Sequence, residues 1–436
     1  MSKQVGFVSS LNDLFIVVTL EGYRPAVGEI LFVKQKTNSR LLVESTSGTQ
    51  AFCLNANDDA TISQNDIVFS SGKPLLLPAG KPVLGRVFNA LGEIIDGEAP
   101  FDPKQLPEYI PLTSPQSTTL SELAKPQVLE TGIKVIDFMA PFVKGRKIGI
   151  IGGAGVGKTV LTTEMMHNVA DKKTALSFFV GIGERIREGH ELYHTLKDRQ
   201  LIDSTIMYMG QMNENAALRS LVGPSAARVA QHFAEEGNDI LFFVDNIYRF
   251  VQARNELAAM RGGIPSEGGY QASLFSDLHR FEDSLQPYGK GSITSVQSIY
   301  VPADDLGDPA VVEISQQLDS TIVLSRDVFE RGIFPAVDLL STTSSLIAPE
   351  IIGERHYALV GRVRAIMRKH ESLRTIIAIV GESELSPLDR KDYERAEAII
   401  QFFNQNMFVT MDLNSKKGEY FTREQTLAGI ESILMS

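Results

Sequence analysis

The spacing of apolar residues changes twice along the chain. Over residues 1–75 it comes in short runs, at 5–8, 14–19, 29–33, 40–44 and 66–69, with turn residues between them. Such runs, with no helical stretch among them, predict closely spaced strands in a small barrel or sandwich. Residues 76–130 are punctuated by Pro and Gly and read as a junction. From there to 345, apolar strands alternate with helix-like segments. That alternation predicts a parallel sheet covered on both faces, with ligands at the carboxyl ends of its strands. Beyond 346 the strand signal fades, and 354–370, 373–380, 390–406 and 422–434 have helical spacing. The expected architecture is a multidomain chain: an N-terminal β-barrel for assembly (1–75), a central α/β domain (76–345) and a C-terminal α-helical domain (346–436).

One stretch organises the α/β part. Gly152-Gly153-Ala154-Gly155-Val156-Gly157-Lys158-Thr159 fits G-x-x-x-x-G-K-[ST]. An apolar strand, 147–151, precedes it, and Val160, Leu161, Met165, Met166 and Val169 follow at helical spacing. A strand–loop–helix of this kind cradles phosphates, because its glycines let backbone N–H groups and a helix N-terminus point at the anion. Residues Gly153 to Val160 are therefore assigned to ATP or ADP. Lys158 would reach the β and γ oxygens, and the Thr159 hydroxyl would ligate Mg²⁺.

Two further strands end in charge. Residues 238–245 form an apolar run closed by Asp245, the pattern in which a carboxylate holds Mg²⁺, usually through water; a bare turn former is the alternative. Residues 175–183 are followed by Glu184 and Arg185. Glu184 is a candidate to orient and polarise an attacking water, and Arg185 to offset charge on the γ-phosphate. A structural ion pair is the plainer reading of the same two residues. Arg249, one helical turn beyond Asp245, is a second candidate cation. His190-Glu191-Leu192-Tyr193-His194 fits the zinc-protease pattern H-E-x-x-H, but no third ligand is evident and an ordinary surface role is expected.

Composition narrows the functional classes. The chain has 436 residues, 43% hydrophobic and 22% charged, ordinary for a soluble globular protein. Its net charge of −11 argues against nucleic acid as the main partner. A RecA-type nucleic-acid motor is accordingly the least favoured reading. The single Cys53 has no partner for an internal disulfide and suits a reducing compartment. No apolar run approaches the roughly 18 residues that would span a bilayer, and strand-like sequence begins at once, so no leader peptide is expected.

With these residues in view, the chain resembles the catalytic β subunits of rotary F-type ATP synthases over nearly its whole length. The resemblance rests on the phosphate loop, on Gly183-Glu184-Arg185-Ile186-Arg187-Glu188-Gly189 and on Val244-Asp245-Asn246-Ile247-Tyr248-Arg249-Phe250. It also rests on Tyr300-Val301-Pro302-Ala303-Asp304-Asp305-Leu306 and Val323-Leu324-Ser325-Arg326. It implies a RecA-like nucleotide domain between a β-barrel and a helical domain. It also implies non-catalytic α-type subunits that lend an arginine finger, a γ-type central stalk, and peripheral association with an ion-translocating sector on the cytoplasmic face of a bacterial plasma membrane. By position it gives phosphate contacts to Lys158 and Arg185, Mg²⁺ to Thr159 and Asp245, and catalysis to Glu184, where the non-catalytic sister carries Gln. Arg249 completes the site. Phe334 takes the place of the adenine-stacking tyrosine and Phe402 that of a second aromatic wall.

The departures concern coupling and assembly. The family's acidic stalk-facing loop is here Ser383-Glu384-Leu385-Ser386-Pro387-Leu388-Asp389, with fewer carboxylates. A segment usually holding two prolines reads Met212-Asn213-Glu214-Asn215-Ala216-Ala217-Leu218-Arg219. Ser345 stands where the sister subunit carries its finger, so copies of this chain alone could not supply one from that position. A nucleotide-binding assembly subunit with weakened coupling is the alternative function.

Overall fold

The computed structural model describes residues 3–12, 14–34, 36, 39–57, 62–113, 126–153, 155–172, 175–261, 270, 274–286, 290–302, 305, 307–381, 385–411 and 417–435. The chain opens with β1 (Lys3–Asn12), β2 (Phe15–Leu20), β3 (Glu29–Val33), β4 (Leu41–Ser47), β5 (Gln50–Asn55) and β6 (Ile67–Pro74). Next come β7 (Leu76–Ala79), β8 (Val87–Phe88), β9 (Glu108–Pro111), β10 (Val128–Leu129), α1 (Lys134–Met139) and β11 (Phe142–Val143). The α/β part begins β12 (Lys147–Gly152), α2 (Lys158–Lys172), β13 (Leu176–Glu184), α3 (Ile186–Asp198), β14 (Thr205–Gln211), α4 (Ala216–Glu235), β15 (Asp239–Asp245) and α5 (Ile247–Met260). It continues α6 (Leu274–Ser284), β16 (Ser292–Ile299), α7 (Pro309–Gln316), β17 (Ser320–Leu324), α8 (Arg326–Glu330) and β18 (Thr343–Ser344). Helices α9 (Pro349–Ile352), α10 (Glu354–Val380), α11 (Pro387–Phe403) and a last helix, Arg423–Met435, follow. The barrel, the α/β domain with its parallel-rich sheet and the helical domain are those expected from the sequence.

The chain divides into two compact units. The first comprises Met1–Ser121, Leu176–Ile293 and Asp308–Ile314; the second comprises Glu122–Ala175, Thr294–Gly307 and Ser315–Ser436. In the first, the barrel closes in the order β1-β2-β5-β4-β3-β6. Its interior is a single apolar cluster that includes Val5, Ile16, Val18, Leu31, Leu41, Val43 and Cys53, contributed by alternate residues of the strands. Strand β5 was missed by the sequence reading. Its sequence, Gln-Ala-Phe-Cys-Leu-Asn, turns the small Ala51 and Cys53 inward and lacks the bulky alternation that marks a strand.

Within the first unit the parallel strands run in the order β15-β13-β14-β8, and within the second the order is β18-β17-β12 followed by β16 from Thr294 on. Strand β13 is parallel to both β14 and β15, and its register sets Gly181 beside Asp245. Both strands are buried along their length (Phe178, Val180 and Ile182; Phe242 and Val244), which is why they read as continuous apolar runs. Helix α4 covers them, with Phe233 edge-on to Phe178 at 6.0 Å between ring centroids. It begins where the family pattern was altered: Asn215 is the N-cap, and its side chain accepts a hydrogen bond from Leu218 N.

In the second unit, β12 lies between β16 and β17, parallel to both. Helix α10 runs unbroken through 371–372, where the sequence reading placed a gap. No Gly or Pro stops it there, and Ser372 Oγ donates back to the Arg368 carbonyl at 3.2 Å. Helix α11 starts earlier than expected, because Ser386 caps it through Asp389 N and Pro387 fits its first turn.

Candidate functional site

The second unit carries the phosphate loop and an apolar slot beside it. Gly155 and Gly157 adopt φ of 76° and 93°, left-handed values that side chains resist. Helix α2 begins at Lys158, so the N–H groups of its first turn point back toward the loop. Lys158 Nζ donates to the carbonyls of Gly152 and Gly153 at 2.5 and 3.1 Å, which holds the amine across the loop. Thr159 and Val160 are exposed at the helix start. Ala154 lies outside the described residues.

The slot has a volume of about 510 Å³, within the usual range for small-molecule sites. Val156, Gly157 and Val160 form its phosphate-loop side, and Phe334 and Pro335 one wall. Phe334 is 40% exposed and is met edge-on by Phe329 at 5.5 Å, an orientation that leaves a ring face for a ligand. The facing wall is residues 404–407 with Thr410. One backbone-to-side-chain and one backbone hydrogen bond fasten the two walls together: Phe334 N donates to Asn404 Oδ1 at 3.0 Å, and Gln405 N donates to the Phe334 carbonyl at 2.8 Å. Gln405, 3% exposed, also donates to the carbonyls of Gly132 and Glu419, so this wall is built on buried, satisfied polar groups.

Phe402 is not part of this slot, contrary to the sequence reading. Its ring lies under Lys134 Nζ at 4.7 Å, and a Cβ on Gly429 would fall 2.4 Å from its edge. The reason is local: Phe402 belongs to the last turn of α11, and the chain turns toward the slot only after that helix ends at Asn404. Met407 and Thr410 stand there instead. The sequence offered no signal for them beyond their position past the helix end.

The first unit gathers the carboxylates and arginines. Glu184 ends β13 and Asp245 ends β15, neighbouring parallel strands in which Asp245 lies beside Gly181, three residues before Glu184. Glu184 is half-buried, and one of its oxygens accepts from Arg185 N at 3.2 Å. Burial, a hydrogen bond with Glu188 and the charge of Asp245 push its carboxyl up to about 8. Arg185 is 68% exposed and pairs with Glu188 of the next helix at 3.5 Å, not with Glu184. Arg249 packs over Gly183, where a Cβ would come within 2.8 Å of Arg249 Cδ; a side chain at 183 would displace the arginine. Among the described residues its buried Nε has no hydrogen-bond partner, which suits a donor to a bound acceptor. Asn246 caps α5 and sets this turn, its Oδ1 accepting from Arg249 N.

His190 and His194 share one exposed face of α3 with Nε2 atoms 3.2 Å apart, while Glu191 pairs with Arg187 at 3.4 Å. Among the described residues no group of three or more His, Cys, Asp or Glu side chains is arranged to hold a metal. Ser345 is tied to its own edge, its N and Oγ both donating to the Asp319 carbonyl at 2.9 and 3.0 Å. Ser383 and Glu384 of the altered loop lie outside the described residues.

A glycine-rich loop joining a central parallel strand to a helix, with an aromatic slot at its side, defines a P-loop nucleotide-binding protein. Residues 132–344 match the model of the nucleotide-binding domain of the ATP synthase alpha/beta family. Residues 345–417 match the C-terminal domain of V and A type ATP synthase. Together the two matches support a subunit of a rotary ATPase.

Proposed function

We propose that this chain is the catalytic, β-type subunit of an F1 or F1-like rotary ATPase, synthesising or hydrolysing MgATP at an interface with non-catalytic α-type subunits. The observation that carries the reading is Glu184, a half-buried strand-end carboxylate whose proton affinity is lifted to about 8. A group poised near the working pH suits a base that orients water and takes its proton. In hydrolysis the water oxygen bonds to the γ-phosphorus as the bond to the β–γ bridging oxygen breaks, and Glu184 receives the proton. Lys158, Arg185 and Arg249 offset charge on the phosphoryl oxygens. Thr159 and Asp245 offer the oxygen donors that Mg²⁺ takes. Phe334 stacks on the base.

The chain then meets a γ-type central stalk and works beside a membrane ion-translocating sector on its cytoplasmic face. Nucleic acid is not its partner. A V/A-type subunit is the second reading, favoured by the match of residues 345–417.

The test is ATP hydrolysis by the chain co-expressed with α-type and γ-type subunits, compared with Glu184→Gln in the same complex. Turnover should fall on the order of 10²–10⁴-fold in the variant with nucleotide still bound. Unchanged turnover would remove Glu184 from catalysis. Mass spectrometry of what co-purifies separates F1-type from V/A-type partners.

A further inference from the structure

We infer that Glu164 is a positioning residue that fastens the base-binding wall of the slot to the phosphate-binding helix; the inference rests on the nucleotide-site reading above. Glu164 lies on α2, less than two turns beyond Lys158, and is fully buried. Its two carboxylate oxygens accept from consecutive backbone donors, Phe408 N at 3.1 Å and Val409 N at 3.0 Å. Those N–H groups open the short 3₁₀ turn Phe408–Thr410, where such donors have no partner within the turn itself. Met407 and Thr410, at either side of them, line the slot.

A second contact along the same helix reinforces the first. His167, one turn past Glu164, stacks on the Phe408 ring at 4.8 Å between centroids and 19° between planes. The wall so held is itself bonded to Phe334 through Asn404 and Gln405. A continuous set of bonds therefore runs from the helix that begins at Lys158, through one buried carboxylate, to both walls that grip the base. The phosphate loop needs none of these bonds to keep its own shape, whereas the spacing of the base walls from the loop does.

A purely structural Glu164 would lower stability and weaken every ligand together. A positioning role predicts a split between ligands that use the base walls and ligands that use the loop alone. The measurement is isothermal titration of the full-length chain with MgADP and, separately, with magnesium tripolyphosphate. Glu164→Gln keeps the shape but sets an amide NH₂ against one of the two N–H donors. It should weaken MgADP roughly tenfold and shift tripolyphosphate by less than about twofold. Val409→Pro deletes one donor while leaving Glu164 in place and should repeat the pattern, which guards against a folding defect in the first variant. Equal weakening of both ligands, or no weakening of MgADP, overturns the inference. A wild-type chain that binds neither ligand overturns the nucleotide-site reading itself, and this inference with it.

Discussion

Glu184 combines two demands that ordinarily conflict: it must be buried enough to hold a proton near neutrality, yet open enough to meet water. Burial, Glu188 and Asp245 together lift its carboxyl from the ordinary 4.5 to about 8. Relative to the unfolded chain, the folded state favours the protonated form. The associated stability is fully present below about 4.5 and is lost as pH rises through about 8. Glu184→Gln cannot ionise and should remove that dependence. Melting curves in magnesium- and nucleotide-free buffer should nearly coincide at pH 4.5 and separate at alkaline pH, the variant melting higher by about 2–4 °C for each kcal/mol relieved. A gap that stays constant with pH would mean that the carboxylate is not held against its charge. Glu184 was legible in the sequence because it ends an apolar strand. The neighbours that tune it were not, since Asp245 arrives from another strand and Glu188 from the next helix.

At the scale of elements, the instructive case is the chain beyond α11. Periodicity located that helix, but only its end point decides which side chains turn toward the slot. Phe402, inside the last turn, packs on Lys134 and against Gly429, and Met407 and Thr410 take the ligand-facing places. Two substitutions separate these roles. Phe334→Ala should weaken nucleotide binding by the roughly 1–3 kcal/mol of a base–aromatic stack, while Phe334→Tyr, which keeps the ring, should bind as the wild type does. Phe402→Ala should leave nucleotide affinity unchanged and destabilise the fold by about 1–3 kcal/mol. Titration and thermal melting of the three variants check this, and loss of affinity in Phe402→Ala would return that ring to the slot. Helix α10 teaches a related lesson. An exposed polar pair such as Glu371-Ser372 resembles a break in a hydrophobic pattern, yet without Gly or Pro the backbone bonds continue.

At the scale of the whole molecule, the position from which a neighbouring copy would lend a finger carries no charge. Ser345 is bonded back to its own strand edge, and nothing in its side chain can offset charge on a neighbour's phosphate. An arginine finger is worth roughly 10³–10⁵ in rate in phosphoryl-transfer enzymes. The purified chain alone should therefore bind MgATP and turn it over slowly, and adding the α-type partner should raise the rate by a factor of that order. Steady-state hydrolysis with and without the partner checks this; brisk turnover by the chain alone would show that no finger is needed in trans.

What the sequence by itself determined is local in origin. The glycine spacing of the phosphate loop, the strand-end carboxylates and the barrel-then-α/β-then-helical order all follow from turn chemistry and periodicity within short windows, whereas Phe334 was placed by the family resemblance alone. Only the tertiary structure decided which distant residues complete those parts. It set Arg249 over Gly183, brought Glu164 to the donors of Phe408 and Val409, and excluded Phe402 from the slot. Each of these is a contact between segments far apart in the chain, governed by packing and hydrogen-bond satisfaction, and neither leaves a period in the sequence to be read.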